Sequence, residues 1–184
     1  MPDERSIVVD PELDLLHQMV QIASPSCQEK NLSLFLVKRM QSLGFYAYQD
    51  SVDNVIGIIG NGPRTIVLLG HIDTYPGNIP VQIRNGCLYG RGSVDAKASM
   101  ACFIAAANRL KGEFKDGGKK IIIIGAVEEE AATSLGARQA LQDFNSPDYC
   151  IIGEPSGWNN LTLGYKGRLL LDYSLKLPLK HTAA

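Results

Sequence analysis

The stretch that decides the fold is IIIIGAVEEE, residues 121–130, in which four isoleucines lead through Gly-Ala-Val into three glutamates. A short, continuous run of β-branched residues is typical of a strand that is buried on both faces. Glutamates that precede a helix often do no more than interact with the positive end of its dipole. Other residues must therefore decide whether these carboxylates form a functional site.

Further apolar strands and helical patterns flank this stretch. NVIGIIG (54–60) and TIVLLG (65–70) predict strands that pair with each other through the turn NGPR, and DYCIIGE (148–154) predicts another strand. Helical spacing predicts four helices, over residues 11 to about 25, 28–43, 96–110 and 134–144. Apolar strands that alternate with helices predict an α/β fold with a mixed, mostly parallel sheet and helices on both faces.

Composition excludes several classes of protein. The chain has 184 residues, of which 45% are hydrophobic and 20% charged, and its formal net charge is −1. These values are ordinary for a globular domain, and no cluster of Lys and Arg suggests nucleic-acid binding. No apolar run approaches the roughly 18 residues of a membrane span, and MPDERSIVVD (1–10) lacks the basic start of a signal peptide. We therefore expect a cytoplasmic protein with a small partner, no nucleic acid and no membrane.

Polar side chains follow three of the predicted strands at the point where each strand ends. TIVLLG leads into His71 and Asp73, IIIIGAV leads into the glutamates 128–130, and CIIG leads into Glu154. Asp95 stands just before a predicted helix. Ligand sites of α/β sheets lie beyond the carboxyl ends of the strands. We therefore expect these side chains to meet at one edge of the sheet.

Carboxylates that crowd together repel each other unless a proton or a cation lies between them. A pair of divalent metal ions meets this need, because carboxylates can bridge two ions and histidine supplies a nitrogen ligand. In the segment His71-Ile72-Asp73 the first and third side chains share a face, so Asp73 can support a metal-bound His71. The adjacent Glu129 and Glu130 can serve one site only if the strand ends before them.

Four motifs resemble, in wording and in order, the acetylornithine deacetylase and succinyl-diaminopimelate desuccinylase family of dinuclear zinc amidohydrolases. They are GHIDTYPG (70–77), YGRGSVDAKASM (89–100), AVEEEAATSLGAR (126–138) and IIGEPSGW (151–158). The resemblance covers residues 10–181. Within the family, the chain is most similar to the branch that releases lysine or ornithine from an amino-group carrier protein, known as acetyl-lysine deacetylase.

The resemblance implies a zinc-peptidase-like catalytic domain with two zinc ions in the complete enzyme, for which cobalt is an alternative. His71 would bind one zinc, Asp95 would bridge both, and Glu154 would complete the protein ligands of the first ion. Asp73 would orient His71 and is counted with the catalytic residues.

The resemblance also implies separate roles within the glutamate triplet. The family has an adjacent pair of glutamates, of which the first is the general base and the second binds the other zinc. When the family's Asp-Glu-Glu is aligned with residues 128–130, Glu128 takes the place of the aspartate, Glu129 is the base and Glu130 is the ligand of the other zinc. A register one residue earlier, with Glu128 as the base, stays open.

Family members are longer than this chain. The resemblance implies a catalytic domain over residues 1–178 and the start of a dimerisation domain at residues 179–184, where His181 resembles the histidine that opens that domain. We therefore expect an incomplete fragment whose second metal position lacks a ligand. Such a chain would hold at most one zinc tightly and would be poorly active, whereas the full-length protein would form a homodimer.

The implied function is metal-dependent release of an amino acid such as lysine or ornithine from a small N-acyl amino acid or from an amino-group carrier protein, in lysine or arginine biosynthesis. Two alternatives stay open. One is a non-catalytic fragment that binds a metal or a partner, and the other is a related N-acyl-amino-acid deacylase or dipeptidase.

Overall fold

The computed structural model describes residues 10–114, 117–157, 159–164, 167, 169 and 171–177, so His181 and residues 179–184 lie outside the described part. Its strands are Tyr46–Gln49 (β1), Val55–Gly60 (β2), Arg64–His71 (β3), Gln82–Arg84 (β4), Cys87–Tyr89 (β5), Lys119–Ala126 (β6) and Tyr149–Ile152 (β7). Its helices are Pro11–Gln21 (α1), Lys30–Ser42 (α2), Lys97–Leu110 (α3) and Leu135–Asp143 (α4), with a 3-10 turn at Lys111–Phe114. Each predicted helix and strand is present, and β1, β4 and β5 are additional. No helix in these ranges has the length and apolar character needed to span a membrane.

The central strand of the main sheet is β6. Within the described residues, this sheet has the order β1-β2-β6-β3-β7, while β4 and β5 form a separate hairpin. β6 pairs antiparallel with β2 and parallel with β3. The prediction that β2 pairs with β3 is therefore wrong, although only a short turn joins them. Because β6 is apolar on both faces, it is best buried when it lies between two other strands.

The sheet is mixed, as predicted. β7 pairs parallel with β3, and β1 pairs antiparallel with β2. Among the five described strands of this sheet, β1, β3, β6 and β7 therefore point the same way and only β2 runs against them. The four pairs of neighbouring strands nevertheless divide equally between parallel and antiparallel.

The isoleucines of β6 alternate between two hydrophobic layers. Ile121 and Ile123 pack in the larger cluster, which also contains buried residues of α1, α2 and α3. Ile122 and Ile124 point to the opposite face, where they pack with Ala140 of α4. This alternation follows from the two-residue period of a strand. The predicted helices on both faces of the sheet are thereby confirmed.

One edge of the sheet collects the ends of three parallel strands. β3 ends at His71, β6 at Ala126 and β7 at Ile152. β2 runs the other way and begins at this edge, so Asn54 also lies there. Its buried side chain accepts the N–H of Val127 at 3.0 Å and donates to the backbone oxygen of Gly136 at 3.0 Å. Asn54 thus connects β2, the segment after β6 and the start of α4.

This junction leaves no room for a side chain on Gly136. A methyl group there would lie 2.3 Å from Asn54 Oδ1 and 2.4 Å from the backbone nitrogen of Val127. We expect Gly136→Ala to lower the free energy of unfolding by about 1–3 kcal/mol, measured by urea denaturation, because the backbone must shift. Gly112→Ala is the control, since nothing lies within 4 Å of a methyl group at that position. An equal loss in both variants would contradict the tight junction.

Candidate metal centre

His71 lies at the centre of the site and is only 1% exposed. Its Nδ1 lies 3.0 Å from the backbone oxygen of Asp73 and 3.3 Å from the Asp73 carboxylate. Nδ1 carries a proton in this arrangement, because a carbonyl oxygen can only accept a hydrogen bond. Nε2 is therefore the nitrogen that is left to bind a proton or a metal ion.

Nε2 of His71 faces carboxylates from three different segments. It lies 3.1 Å from Asp95 Oδ1, 3.8 Å from Glu154 Oε2 and 4.0 Å from Glu129 Oε2. One ligand atom from each of His71, Asp95 and Glu154 lies within 4.8 Å of the other two, an arrangement that could hold a metal ion. A nitrogen lone pair and several carboxylates are all acceptors, so they are stable together only with a proton or a cation between them. The donor set therefore fits a divalent metal ion.

The pKa values of the site residues also reflect the crowding of carboxylates around His71. Burial lowers the pKa of His71, but the hydrogen bond with Asp73 and the charge of Glu154 outweigh it and raise the pKa to about 9. Burial raises the pKa of the Glu154 carboxyl, and neighbouring carboxylates raise it further although His71 opposes them. Partial desolvation of its carboxyl and the charge of Asp95 raise the pKa of Glu130. A metal ion at Nε2 would replace the proton and offset the repulsion.

Asp73 is fully buried and binds the backbone of the glutamate triplet. Its Oδ1 accepts the N–H of Glu129 at 3.0 Å. Its Oδ2 accepts the N–H of Glu130 at 3.0 Å and the hydroxyl of Ser26 at 2.8 Å. Burial by itself raises the pKa of Asp73, but the hydrogen bonds from His71 and from these donors lower it below its usual value. Asp73 therefore stays ionised and joins the triplet to His71.

The glutamate triplet lies beyond the end of β6, which was the condition for Glu129 and Glu130 to serve one site. The strand ends at Ala126, and Glu128 has a φ of +55°, in the left-handed region. The carboxylate of Glu129 faces His71. Glu129 and the next residue, Glu130, are both exposed.

The three glutamates differ in what their side chains contact. Glu128 accepts the hydroxyl of Thr133, and Glu129 lies against His71. Glu130 interacts electrostatically with Asp95 but does not belong to the group formed by His71, Asp95 and Glu154. The structure thus brings four of the predicted side chains close together at this edge, with Asp73 behind them and Glu130 beside them.

Three residues that support the site were not predicted, namely Ser26, Glu29 and Asn54. Glu29 is 5% exposed, and its Oε1 accepts the N–H of Cys27 and the N–H of Glu128, each at 3.0 Å. In the sequence, Glu29 is indistinguishable from an ordinary acidic residue at the start of a helix. Ser26 stands in a segment with the composition of a turn, and Asn54 stands at the start of the predicted strand NVIGIIG. No local pattern distinguishes such residues from solvated ones.

Residues 67–176 match the family model described as Peptidase family M20/M25/M40. This stretch is more than half of the chain. The chain belongs to peptidase family M20/M25/M40. This membership confirms the resemblance on which the predicted site residues depend. Both the glutamate triplet and Glu154 fall within the matched part of this M20 chain.

Two curated relatives of the M20 chain have names that state a substrate. The LysW-lysine hydrolase of Deinococcus radiodurans is 47% identical over 171 residues, which are 92% of this chain and 47% of the relative. The putative LysW-lysine/LysW-ornithine hydrolase of Pyrococcus furiosus is 42% identical over 176 residues, which are 95% of this chain and 51% of the relative. The M20 chain therefore spans about half the length of the curated relatives it matches.

A solved structure confirms the predicted fold. The crystal structure of the YXEP protein from Bacillus subtilis, a dinuclear metal binding peptidase from the M20 family, superposes with a TM-score of 0.59. The match covers 77% of this chain and 42% of that protein at 16% identity. At this identity the likeness shows the fold alone.

The role of Asp73 can be tested by a nearly isosteric change. Asp73→Asn places an amide nitrogen against at least one of the donors from Glu129, Glu130 and Ser26. We expect the free energy of unfolding of the metal-free chain to fall by about 1–3 kcal/mol, because a buried donor loses its acceptor. Urea denaturation measures the change.

Asp148→Asn is the matched control for this variant. Asp148 accepts one backbone N–H, from Thr65, at an exposed position, and an asparagine oxygen there can keep the bond. Its loss of stability should be clearly smaller. A control variant that is destabilised as much as Asp73→Asn would contradict the special role of the Asp73 carboxylate.

Proposed function

We propose that the chain is the N-terminal catalytic portion of a metal-dependent amidohydrolase that releases an amino acid such as lysine or ornithine from an N-acyl or carrier-protein-linked precursor. The observation that carries this proposal is the convergence of His71 Nε2 with the carboxylates of Asp95, Glu129 and Glu154 in an M20 chain. A histidine nitrogen and two carboxylates are typical zinc ligands. A further carboxylate close to the metal position, here that of Glu129, is typical of a general base.

The ligand set supports one strong and one weak metal position. His71, Asp95 and Glu154 would hold the first zinc, and three protein ligands that leave a place for water match a catalytic zinc site. Asp95 would also bridge to a second ion held by Glu130. Two carboxylates alone are a poor zinc site. We infer two zinc ions, or cobalt, in the complete enzyme and at most one tightly held ion in this chain.

Metal ions bound here would supply Lewis acidity toward the acyl carbonyl and lower the pKa of a bound water. The chain's own residues would handle the proton. Glu129 would accept a proton as the water oxygen bonds to the acyl carbon, and would return that proton to the amine nitrogen as the C–N bond breaks. Asp73 would keep the Nδ1 proton of His71 in place, so that Nε2 stays directed at the metal position.

The side-chain directions favour Glu129 over Glu128 as the base. Glu129 Oε2 lies 4.0 Å from His71 Nε2, beside the group formed by His71, Asp95 and Glu154. Glu128 is directed to Thr133. This supports the register in which Glu130, not Glu129, binds the second ion.

The names of the relatives support the substrate class. Two relatives, which are 47% and 42% identical to this chain over the aligned residues, are named as hydrolases of LysW-linked lysine or ornithine. We therefore propose a carrier-protein-linked amino acid as the substrate, with LysW-type carrier protein as the partner. The homodimeric state of the full-length protein and the cytoplasmic location stay predictions.

The first test is the metal content of the chain itself. After incubation with zinc and gel filtration, mass spectrometry should find at most one zinc per chain. His71→Ala should lose this ion, since it removes the only nitrogen ligand proposed for the site. His17→Ala is the control, because His17 lies on α1 beside Gln21 and should leave the metal content unchanged. Two tightly held ions per chain would refute the inferred difference between the two positions.

The second test separates the two glutamates in a protein that carries this chain together with the remaining length of its relatives. Glu129→Gln should abolish release of lysine or ornithine, by at least about 100-fold, yet leave the zinc content unchanged, because a base is lost and a ligand is not. Glu128→Gln should keep most of the turnover. The reverse outcome would favour the earlier register, and a wild-type protein that binds zinc without any turnover would favour a non-catalytic metal-binding role.

A further inference from the structure

Buried carboxylates bind the backbone N–H groups of all three glutamates in the triplet. Asp73 accepts those of Glu129 and Glu130, and Glu29 accepts that of Glu128. Asp73 lies where it does because it connects the triplet to His71. Glu29 connects the triplet to the loop before α2 and has no part in the proton transfer proposed for Glu129.

Glu29 does not serve the helix that it precedes. It occupies the N-cap position of α2, yet its side chain makes no capping hydrogen bond there. Its Oε1 instead accepts the N–H of Cys27, two residues away, and the N–H of Glu128, 99 residues away. Glu29 is only 5% exposed, and burying a carboxylate is costly unless it accepts hydrogen bonds. The long-range bond to Glu128 is therefore the feature that requires explanation.

Glu128 has a left-handed backbone conformation within the bend that follows β6, which we call the left-handed turn. Its φ of +55° lies in the left-handed region, which residues other than glycine adopt rarely and only when their surroundings hold them there. The turn directs the side chain of Glu128 to Thr133 and that of Glu129 to His71. Whatever holds the backbone of Glu128 thus decides which glutamate reaches the metal centre.

We propose that Glu29 is a positioning residue for the general base. Its hydrogen bond with the Glu128 N–H maintains the left-handed turn, and the turn presents the Glu129 carboxylate to the site. Glu29 acts only through the backbone and does not touch the reacting atoms. This inference rests on the proposed function, because it assumes that Glu129 is the base.

Amide hydrogen exchange tests the structural half of the proposal in the chain itself. Glu29→Ala removes the acceptor, so the amides of Cys27 and Glu128 should exchange at least about 10-fold faster by NMR, because each loses its hydrogen bond. Glu29→Gln keeps an oxygen at the Oε1 position and should leave both rates near those of the wild type. Asp148→Ala, the control, should change exchange at Thr65 instead. Unchanged exchange at Glu128 in Glu29→Ala would overturn the proposal.

Steady-state kinetics test the functional half in the protein that carries this chain with the remaining length of its relatives. Glu29→Ala should lower kcat by about 10- to 100-fold with KM and zinc content nearly unchanged, since a displaced base affects the chemical step rather than binding. Glu29→Gln should restore most of kcat, and Asp148→Ala should retain it. If the alanine variant does not fold, Glu29→Asp, whose shorter side chain draws the carboxylate back from Glu128, should show the same fall in kcat.

The outcomes separate this inference from the proposed function. A Glu29→Ala enzyme that keeps kcat per folded molecule, or that loses kcat only in proportion to lost zinc, would refute the positioning role. A wild-type protein without turnover would refute the proposed function instead. The hydrogen-exchange result would still decide whether Glu29 holds the turn.

Discussion

The carboxylate of Asp73 is the point at which the two halves of the site are joined. It accepts the hydroxyl of Ser26 and two consecutive N–H groups of the glutamate triplet, and it lies against Nδ1 of His71. A buried carboxylate must be satisfied by several donors, because its desolvation is otherwise costly. Asp73 meets this requirement only if the loop after β6 closes onto the end of β3. The same hydrogen bonds therefore shape the loop and orient the imidazole.

The Nε2 side of His71, the outer side of the site, has the opposite problem. There the nitrogen lone pair and the carboxylates that face one another are all hydrogen-bond acceptors. Asp95, Glu129 and Glu154 surround Nε2, and their mutual repulsion is offset in the metal-free chain by a proton on His71, whose pKa rises to about 9. The hydrogen-bonding groups on the inner side of the site are thus paired within the protein, whereas the acceptors on the outer side need a proton or a cation between them. The hydrogen bonds on the inner side hold the imidazole in place, so that Nε2 and the facing carboxylates form a group that could hold a metal ion.

Much of this arrangement could be predicted from local patterns. The isoleucines of β6 indicated a strand buried on both faces, and the structure places Ile121 and Ile123 in one layer and Ile122 and Ile124 in the other. The position of His71 at the end of one strand and of Glu154 just after another predicted that both lie at one edge of the sheet, because parallel strands end together. The motifs then predicted roles for these residues, which geometry alone does not give. Strand pairing was less predictable, because the insertion of β6 between β2 and β3 depends on contacts far apart in the sequence.

The sequence by itself determined the four helices, four of the seven described strands, and which polar side chains stand at the ends of those strands, because these follow from the hydrophobic patterns of helices and strands. Only the tertiary structure decided which of three chemically identical glutamates faces His71. That choice depends on the left-handed turn at Glu128 and on buried acceptors from distant segments, among them Glu29. Glu29 and Glu128 are 99 residues apart, and a hydrogen bond between them leaves no periodic signal in either segment. Hydrogen bonds that pair buried polar groups from distant parts of the sequence exist only in the folded chain.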